Sequence, residues 1–174
     1  FFYDKLSINV IKKDILKGHE VIKKVLNIDA KGFRTPHFGT FQNKEHLKSL
    51  YKILRKLNYS FSSSTMPHQS FFMGPIIFSQ GIYEIPVSGS GKSPFNILDS
   101  WYFASPESLK TSKDYLLEAE KATNFYKKRG VGILNYYADP SHVINKEEFW
   151  IALKIWVENC KSINYDELLK IAKK

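Results

Sequence analysis

Helix-forming segments and short apolar runs alternate along the chain, and this alternation most limits the fold. Apolar residues recur at helical spacing in residues 7–27, 43–57, 105–128 and 146–160, with a last helix from Asp166. Runs typical of strands lie at residues 31–34, 59–62, 82–87 and 131–138. The crossovers are long enough to join parallel strands. The pattern predicts an α/β fold with a mostly parallel sheet, which could form part of a barrel.

Two stretches lack this periodicity and are predicted as loops. Residues 63–81 are rich in Ser, Pro, Gly and aromatic side chains, and residues 88–99 form a second such stretch. Residues 131–138 are nearly all apolar and are predicted to form a buried strand. We expect functional residues at the carboxyl ends of the strands, where parallel α/β folds collect their chemistry.

The 174 residues suit one domain with a sizeable core. No apolar run reaches the roughly 18 residues of a transmembrane helix, so no membrane span is expected. Cys160 is the only cysteine, which excludes an internal disulfide, and its position on an apolar helix face predicts burial. The chain begins at Phe1 without an initiating Met, so we expect further chain upstream.

Arg34 stands out against a basic composition that is almost entirely lysine. Of the 26 basic residues only Arg34, Arg55 and Arg129 are arginine, and the net charge is +9. Lysine spread along helices indicates a solvated surface, because nucleic-acid sites favour the bidentate guanidinium of arginine. We therefore expect no nucleic-acid partner.

The position of Arg34 suggests a specific contact. It follows the predicted strand at residues 31–34 and precedes a Thr35-Pro36 turn. A guanidinium removed from water needs several acceptors, and a carboxylate fits its planar fork. The other interpretation is a structural ion pair that joins two loops.

Asp139 and His142 follow the most apolar predicted strand. A carboxylate three residues from an imidazole can orient it and stabilise its charge, which suits a histidine acting as general acid or base. The other interpretation is a helix-capping turn, since Asp and Ser are favoured caps. Trp101, Tyr102 and Phe103 form an aromatic run that could stack on sugar rings or pack in a core.

The order of several short motifs resembles the polysaccharide deacetylases (carbohydrate esterase family 4). Phe33-Arg34-Thr35-Pro36 is similar to the aromatic-Arg-any-Pro motif of that family. A helix and then Tyr59-Ser60-Phe61-Ser62-Ser63-Ser64 follow it, as in the family. Tyr83-Glu84-Ile85-Pro86-Val87 is similar to the next strand, and Ile133 to His142 lies where the family has its last catalytic strand.

The resemblance implies an incomplete, distorted (β/α) barrel with mostly parallel strands, as one deacetylase-like domain over residues 1–174. It implies removal of N-acetyl groups from an amino-sugar polymer, with a divalent metal, usually zinc, that polarises the carbonyl and activates water. Arg34 matches the family arginine that hydrogen-bonds an Asp base. His142 would be the general acid and Asp139 its orienting partner. Substrate contacts would come from Pro36, His37, Phe38, Trp101 and Tyr102.

Two features depart from the family pattern. The Asp-Asp pair and the two histidines four apart, which supply the base and the metal ligands, are absent from the chain. In family order they precede Phe1, so we expect an N-terminally truncated domain whose metal ligands lie upstream. At the last strand the family has Leu-His followed closely by Pro, whereas here Asp139 precedes Pro140 and His142 follows Ser141.

Two other functions fit the same residues. The fold could hydrolyse another non-peptide C–N bond, for example in a small cyclic amide. The chain could also be a non-catalytic relative that binds a glycan or a partner. A polysaccharide substrate is compatible with the cell envelope and with the cytoplasm, and the sequence makes no prediction of oligomeric state.

Overall fold

Helices and strands of the chain fall into two units. A computed structural model describes residues 2–89, 97–101, 112–129 and 132–173. The chain divides at Pro86 into the first unit, Phe1–Pro86, and the second unit, Val87–Lys174. The expectation of one deacetylase-like domain over residues 1–174 stays a prediction.

The first unit contains a four-stranded sheet in the order β1-β2-β4-β3. The β1–β2 and β2–β4 pairs are parallel, and β3 and β4 are antiparallel. The fold is thus mixed α/β with a mostly parallel, open sheet, as predicted at that level, and closure into a barrel stays a prediction. The strands are β1 (Gly32–Phe33), β2 (Phe61–Ser62), β3 (Ile77–Ser79) and β4 (Ile82–Glu84).

Three α-helices of the first unit are α1 (Ile8–Leu26), α2 (Lys44–Lys56) and α3 (Pro67–Met73). Helix α2 begins as predicted, because the Asn43 side chain accepts hydrogen bonds from the backbone N–H groups of Glu45 and His46. Its apolar stripe packs in the core of this unit, together with residues from α1 and β4. The stripe predicted on α1 is buried only in its first half, at Ile11 and Ile15.

The prediction of one loop over residues 63–81 is wrong. This stretch contains α3, which has Pro67 in its first turn, and β3, which forms a hairpin with β4. The hairpin turn is Gln80-Gly81, where φ is 53° and 81°. Two central residues with positive φ are typical of the tight turn that matches strand twist. Gln in place of the usual Asn made this signal weak in the sequence.

The second unit is built on a pair of packed helices, α4 (Ser112–Arg129) and α6 (Glu147–Asn159). The shorter helices α5 (Pro140–Val143) and α7 (Tyr165–Ala172) lie before and after α6 in the chain. The predicted start of α4 near Ser105 lies outside the described residues. The buried residues of this core are Leu98, Tyr115, Ala119, Ala122, Tyr126, Ala152 and Trp156.

The prediction of a buried strand over residues 131–138 is wrong for its described part, residues 132–138. That part has no strand, only an isolated parallel bridge between Tyr137 and Asp99. The Asn135 N–H donates to Ser88 Oγ at 2.7 Å, and the Ser88 N–H donates to the Asn135 carbonyl at 2.9 Å. A side chain thus takes a backbone group that a strand would use in a ladder.

The predicted burial of Cys160 is also wrong. Cys160 is exposed, because α6 ends at Asn159 and the next residue has left the helix in an extended conformation. Among the described residues, no helix combines the length and the apolar character needed to cross a bilayer.

Candidate functional site

In the first unit, polar residues gather at the carboxyl ends of three neighbouring parallel strands. Arg34 follows β1, Ser63 follows β2, and Glu84 is the last residue of β4. Ligand and catalytic groups of open α/β sheets collect at this edge. Because β1, β2 and β4 are neighbours in the sheet, Arg34, Ser63 and Glu84 lie at the same edge, as the predicted parallel strands imply.

Arg34 joins the ends of β1 and β2. Its Nε donates to the Ser63 carbonyl at 2.8 Å, and its Nη2 donates to Ser63 Oγ at 2.6 Å. The guanidinium carbon lies 5.6 Å from the ring centroid of Phe38, within range of a cation–π contact. Two parallel donors and a flat stacking face explain arginine at this position. The expected contact with a carboxylate base stays a prediction.

Glu84 is the least expected member of this group. It is only 1% exposed, and its Oε1 accepts three hydrogen bonds. The donors are the Ser64 N–H at 2.7 Å, the Thr65 N–H at 2.9 Å and Thr65 Oγ1 at 2.9 Å. Oε2 is buried and has no hydrogen-bond partner among the described residues. Glu84 thus holds the chain that follows β2.

Burial raises the pKa of the Glu84 carboxyl, although the Ser62, Ser64 and Thr65 groups beside it lower the pKa in part. Burial also raises the pKa of Tyr51, and the neighbouring Glu84 carboxyl adds to that shift. Both effects favour the neutral form of each group. A neutral, buried carboxyl suits a structural role better than contact with solvent as an ion.

A serine bridge connects the Arg34 and Glu84 contacts. Ser64 Oγ accepts hydrogen bonds from Ser62 Oγ at 2.9 Å and from the Thr35 N–H at 3.0 Å. The Gln42 side chain donates to the Ser64 carbonyl at 2.9 Å. The roles of Glu84 and Gln42 were not predicted from the sequence. The available signal for Glu84 was an acidic residue in an otherwise apolar strand.

The predicted substrate residues after Arg34 lie in different environments. Pro36 and His37 are exposed, and His37 has a φ of 46° and stacks on Phe2 with ring centroids 4.2 Å apart. Phe38 is buried and lies against Arg34. The structure thus places two of the three side chains where a ligand could reach them. Substrate contact by all three stays a prediction.

In the second unit, His142 lies in α5 and is half-buried. Its Nδ1 is 3.3 Å from Ser100 Oγ, within hydrogen-bond distance, and its Nε2 has no hydrogen-bond partner among the described residues. Ser100 Oγ also accepts the Asp139 N–H at 2.7 Å. Ser100 is therefore a member of this site that was not predicted from the sequence.

The Asp139 carboxylate caps α5. Its Oδ1 accepts the Ser141 N–H at 3.0 Å and the Ser141 hydroxyl at 2.7 Å. These hydrogen bonds from Ser141 hold the Asp139 pKa below its usual value, with a smaller effect from His142. The His142 N–H donates to the Asp139 carbonyl at 3.0 Å, and the described contacts include no hydrogen bond between the side chains of Asp139 and His142. An orienting role for Asp139 stays a prediction.

Trp101 stands beside His142. The indole ring is 57% exposed, and its centroid lies 5.6 Å from the imidazole centroid at an interplanar angle of 61°. An exposed aromatic surface and an imidazole are therefore neighbours within this unit. Tyr102, which was predicted to share the substrate contact, lies outside the described residues.

A metal centre does not follow from the described residues. Among residues 2–89, 97–101, 112–129 and 132–173, no three His, Cys, Asp or Glu side chains are grouped so that they could hold a metal ion. These residues therefore do not fit the zinc that the resemblance implies. The prediction that its ligands lie upstream of Phe1 is left as it stands.

The fold has a likeness among solved structures. The crystal structure of a "putative polysaccharide deacetylase" from Mycobacterium smegmatis superposes on 87% of this chain with a TM-score of 0.61. The sequence identity is 17%, and the chain spans half the length of that protein. No protein-family description and no curated protein matches the sequence. At this identity the likeness shows the fold alone.

Proposed function

We propose that this chain is part of a hydrolase that removes N-acetyl groups from an amino-sugar polysaccharide. The motif order from Phe33 to His142 supports this function, and so does the similarity of fold to the mycobacterial protein. The observation that carries it is the neighbouring pair of Trp101 and His142. One residue can contact a sugar, and the other can transfer a proton.

Each member of the pair suits its role. An exposed indole presents a broad apolar face with a polar N–H. Such rings bind ligands that combine apolar and polar surfaces, as sugars do. An imidazole changes charge near neutral pH and is the side chain most often used for general acid–base catalysis. Placed side by side, they hold a sugar within reach of a proton donor.

In the proposed reaction, His142 is the general acid. A water molecule gives a proton to the aspartate base that the resemblance implies, its oxygen forms a bond to the acetamide carbonyl carbon, and the C–N bond breaks. The nitrogen of the departing amino sugar takes its proton from His142 Nε2, so that acetate and a free amine result. His142 Nδ1 faces Ser100. That arrangement leaves Nε2 as the nitrogen for the substrate.

Arg34 has a positioning role in this proposal. Its contacts with Ser63 and Phe38 fix the guanidinium at the carboxyl end of β1. By resemblance, it would hydrogen-bond an aspartate base. The divalent metal belongs to the proposal in the same way.

The test is acetate release from N-acetylglucosamine oligomers by the protein as its native gene encodes it, with zinc supplied. We expect acetate and free amine in equal amounts from the wild type and strong loss in His142→Ala. Equal acetate release by that variant would contradict the role of His142. A wild type that cleaves only small cyclic amides would favour the other C–N hydrolase function.

A second candidate is a non-catalytic protein that binds glycans. The observation in its favour is that the Asp139 carboxylate and the Arg34 guanidinium both make structural contacts, with Ser141 and Ser63 respectively. In that case, oligosaccharide binding would depend on Trp101, while no acetate would be released with any divalent metal. Calorimetric titration and acetate release, measured on the same preparation, separate the two functions.

A further inference from the structure

We propose that Ser100 is the positioning residue of His142, in the place predicted for Asp139. The proposal rests on the general-acid role of His142. It begins with the contact of 3.3 Å between Ser100 Oγ and His142 Nδ1. The Asp139 carboxylate is directed to Ser141 instead.

Ser100 is held firmly enough for this task. Its N–H donates to the Tyr137 carbonyl at 3.3 Å, next to the bridge between Asp99 and Tyr137. Its Oγ accepts the Asp139 N–H at 2.7 Å. These two bonds tie residues 99–100 to residues 137–139, so that the hydroxyl stands at a fixed distance from the turn that carries His142.

The bonding capacity of a hydroxyl defines what Ser100 does. Ser100 Oγ uses one lone pair for the Asp139 N–H, and its own hydrogen can then point to Nδ1. In that state His142 carries its proton on Nε2. When the imidazole is charged, Nδ1–H can donate to the remaining lone pair of Oγ. One serine therefore holds the ring in both protonation states.

A direct chemical role for Ser100 is excluded by its burial. The side chain is 0% exposed, so a substrate carbonyl cannot reach Oγ, and the Ser–His contact is not that of a serine nucleophile. The Trp101 indole also lies beside the His142 ring. The ring is thus fixed by a buried hydroxyl and an exposed indole, with Nε2 left for the reaction.

The test compares three variants of the full chain by nitrogen NMR of the histidine side chains, with His142 assigned by its own substitution. Ser100→Ala removes the hydroxyl at Nδ1. Ser141→Ala is the matched control, because it removes a different hydroxyl, in the turn that carries His142. Asp139→Asn tests the competing assignment. Thermal melts show that each variant is folded, and Ser100→Cys replaces Ser100→Ala if the latter does not fold.

We expect the Nδ1 resonance of neutral His142 to move in Ser100→Ala to the position of an acceptor without a hydrogen bond, and to stay in place in Ser141→Ala and Asp139→Asn. In the native protein, kcat should fall about 10-fold in Ser100→Ala with little change in KM. An unchanged Nδ1 resonance in Ser100→Ala, or an equal shift in Asp139→Asn, would overturn the proposal. A shift in a protein without deacetylase activity would support the contact and refute the proposed function.

Discussion

The Glu84 group of the first unit and the pair Trp101–His142 of the second unit differ in their exposure to solvent. In the first unit, Ser62, Ser64, Thr65 and Glu84 are buried and bond mainly to one another. In the second unit, His142 is half-buried and Trp101 is largely exposed. A buried network of hydrogen bonds can fix the positions of strand ends. Groups that must meet a substrate need access, which the second unit provides.

The largest expected effect tests this division directly. Because His142 supplies the proton in the proposed reaction, His142→Ala should lower kcat about 10²- to 10⁴-fold, with little change in Tm. His46→Ala is the control, since it removes an imidazole of the first unit that stacks on Phe41. If both variants lose the same activity, the second unit has no special place in the reaction.

The next effect concerns the buried network. Glu84→Ala leaves the Ser64 N–H, the Thr65 N–H and the Thr65 hydroxyl without their acceptor, so we expect the free energy of unfolding to fall by about 2–4 kcal/mol. Glu84→Gln keeps a carbonyl oxygen for these donors and should be much milder. Urea denaturation of both variants measures the difference. Equal losses would mean that volume, not hydrogen bonding, accounts for the role of Glu84.

The free energy of unfolding of Glu84→Gln, relative to the wild type, should depend on pH. The raised pKa of Glu84 means that the folded chain binds this proton more tightly than the unfolded chain. Its contribution to stability is present below the unfolded pKa and is lost as pH rises through the folded pKa. Glu84→Gln does not titrate, so its stability relative to the wild type should improve from roughly pH 5 to pH 8. A constant difference across that range would contradict the pKa direction.

Trp101 tests the contribution of the exposed aromatic side chain in the second unit. Trp101→Ala should weaken oligosaccharide binding about 10-fold, or ~1.4 kcal/mol, with a small change in Tm, because the ring is mostly solvent-accessible. Trp150→Ala is a close control: that indole is 51% exposed on α6 of the same unit. A similar loss of binding in both variants would show that any exposed indole suffices.

Sequence patterns predicted what neighbouring residues determine. Helix α2 follows from its apolar stripe and the Asn43 cap, both encoded within 15 residues. The parallel order of β1, β2 and β4 follows from the crossovers between them. The strand predicted over residues 131–138 is absent from its described part, residues 132–138, because a strand needs a partner. The Asn135 N–H donates instead to Ser88 Oγ, more than 40 residues away in the chain. Periodicity carries no information on such a contact.

The residues of the candidate site also divide into those that the sequence predicted and those that it missed. Arg34 was found because an arginine is rare in this composition, and His142 because it follows an apolar run. Glu84 and Ser100 were missed, because their partners lie about 20 and about 40 residues away in the chain. Both are residue types that are common on surfaces, and only the burial of their side chains distinguishes them.

The smallest expected effect separates packing from capping in the two units. Asn43 begins α2, and Asn164 begins α7 with a complete capping box to Glu167. Each cap is worth about 1 kcal/mol. Helix α2 buries five residues in its core, whereas α7 buries two and has only eight residues. Asn164→Ala should therefore speed amide exchange within α7 about fivefold by local fraying, while Asn43→Ala lowers the stability of α2 only together with its core. Selective fraying of α2 in Asn43→Ala would reverse this order, and would show that tertiary packing does not hold that helix.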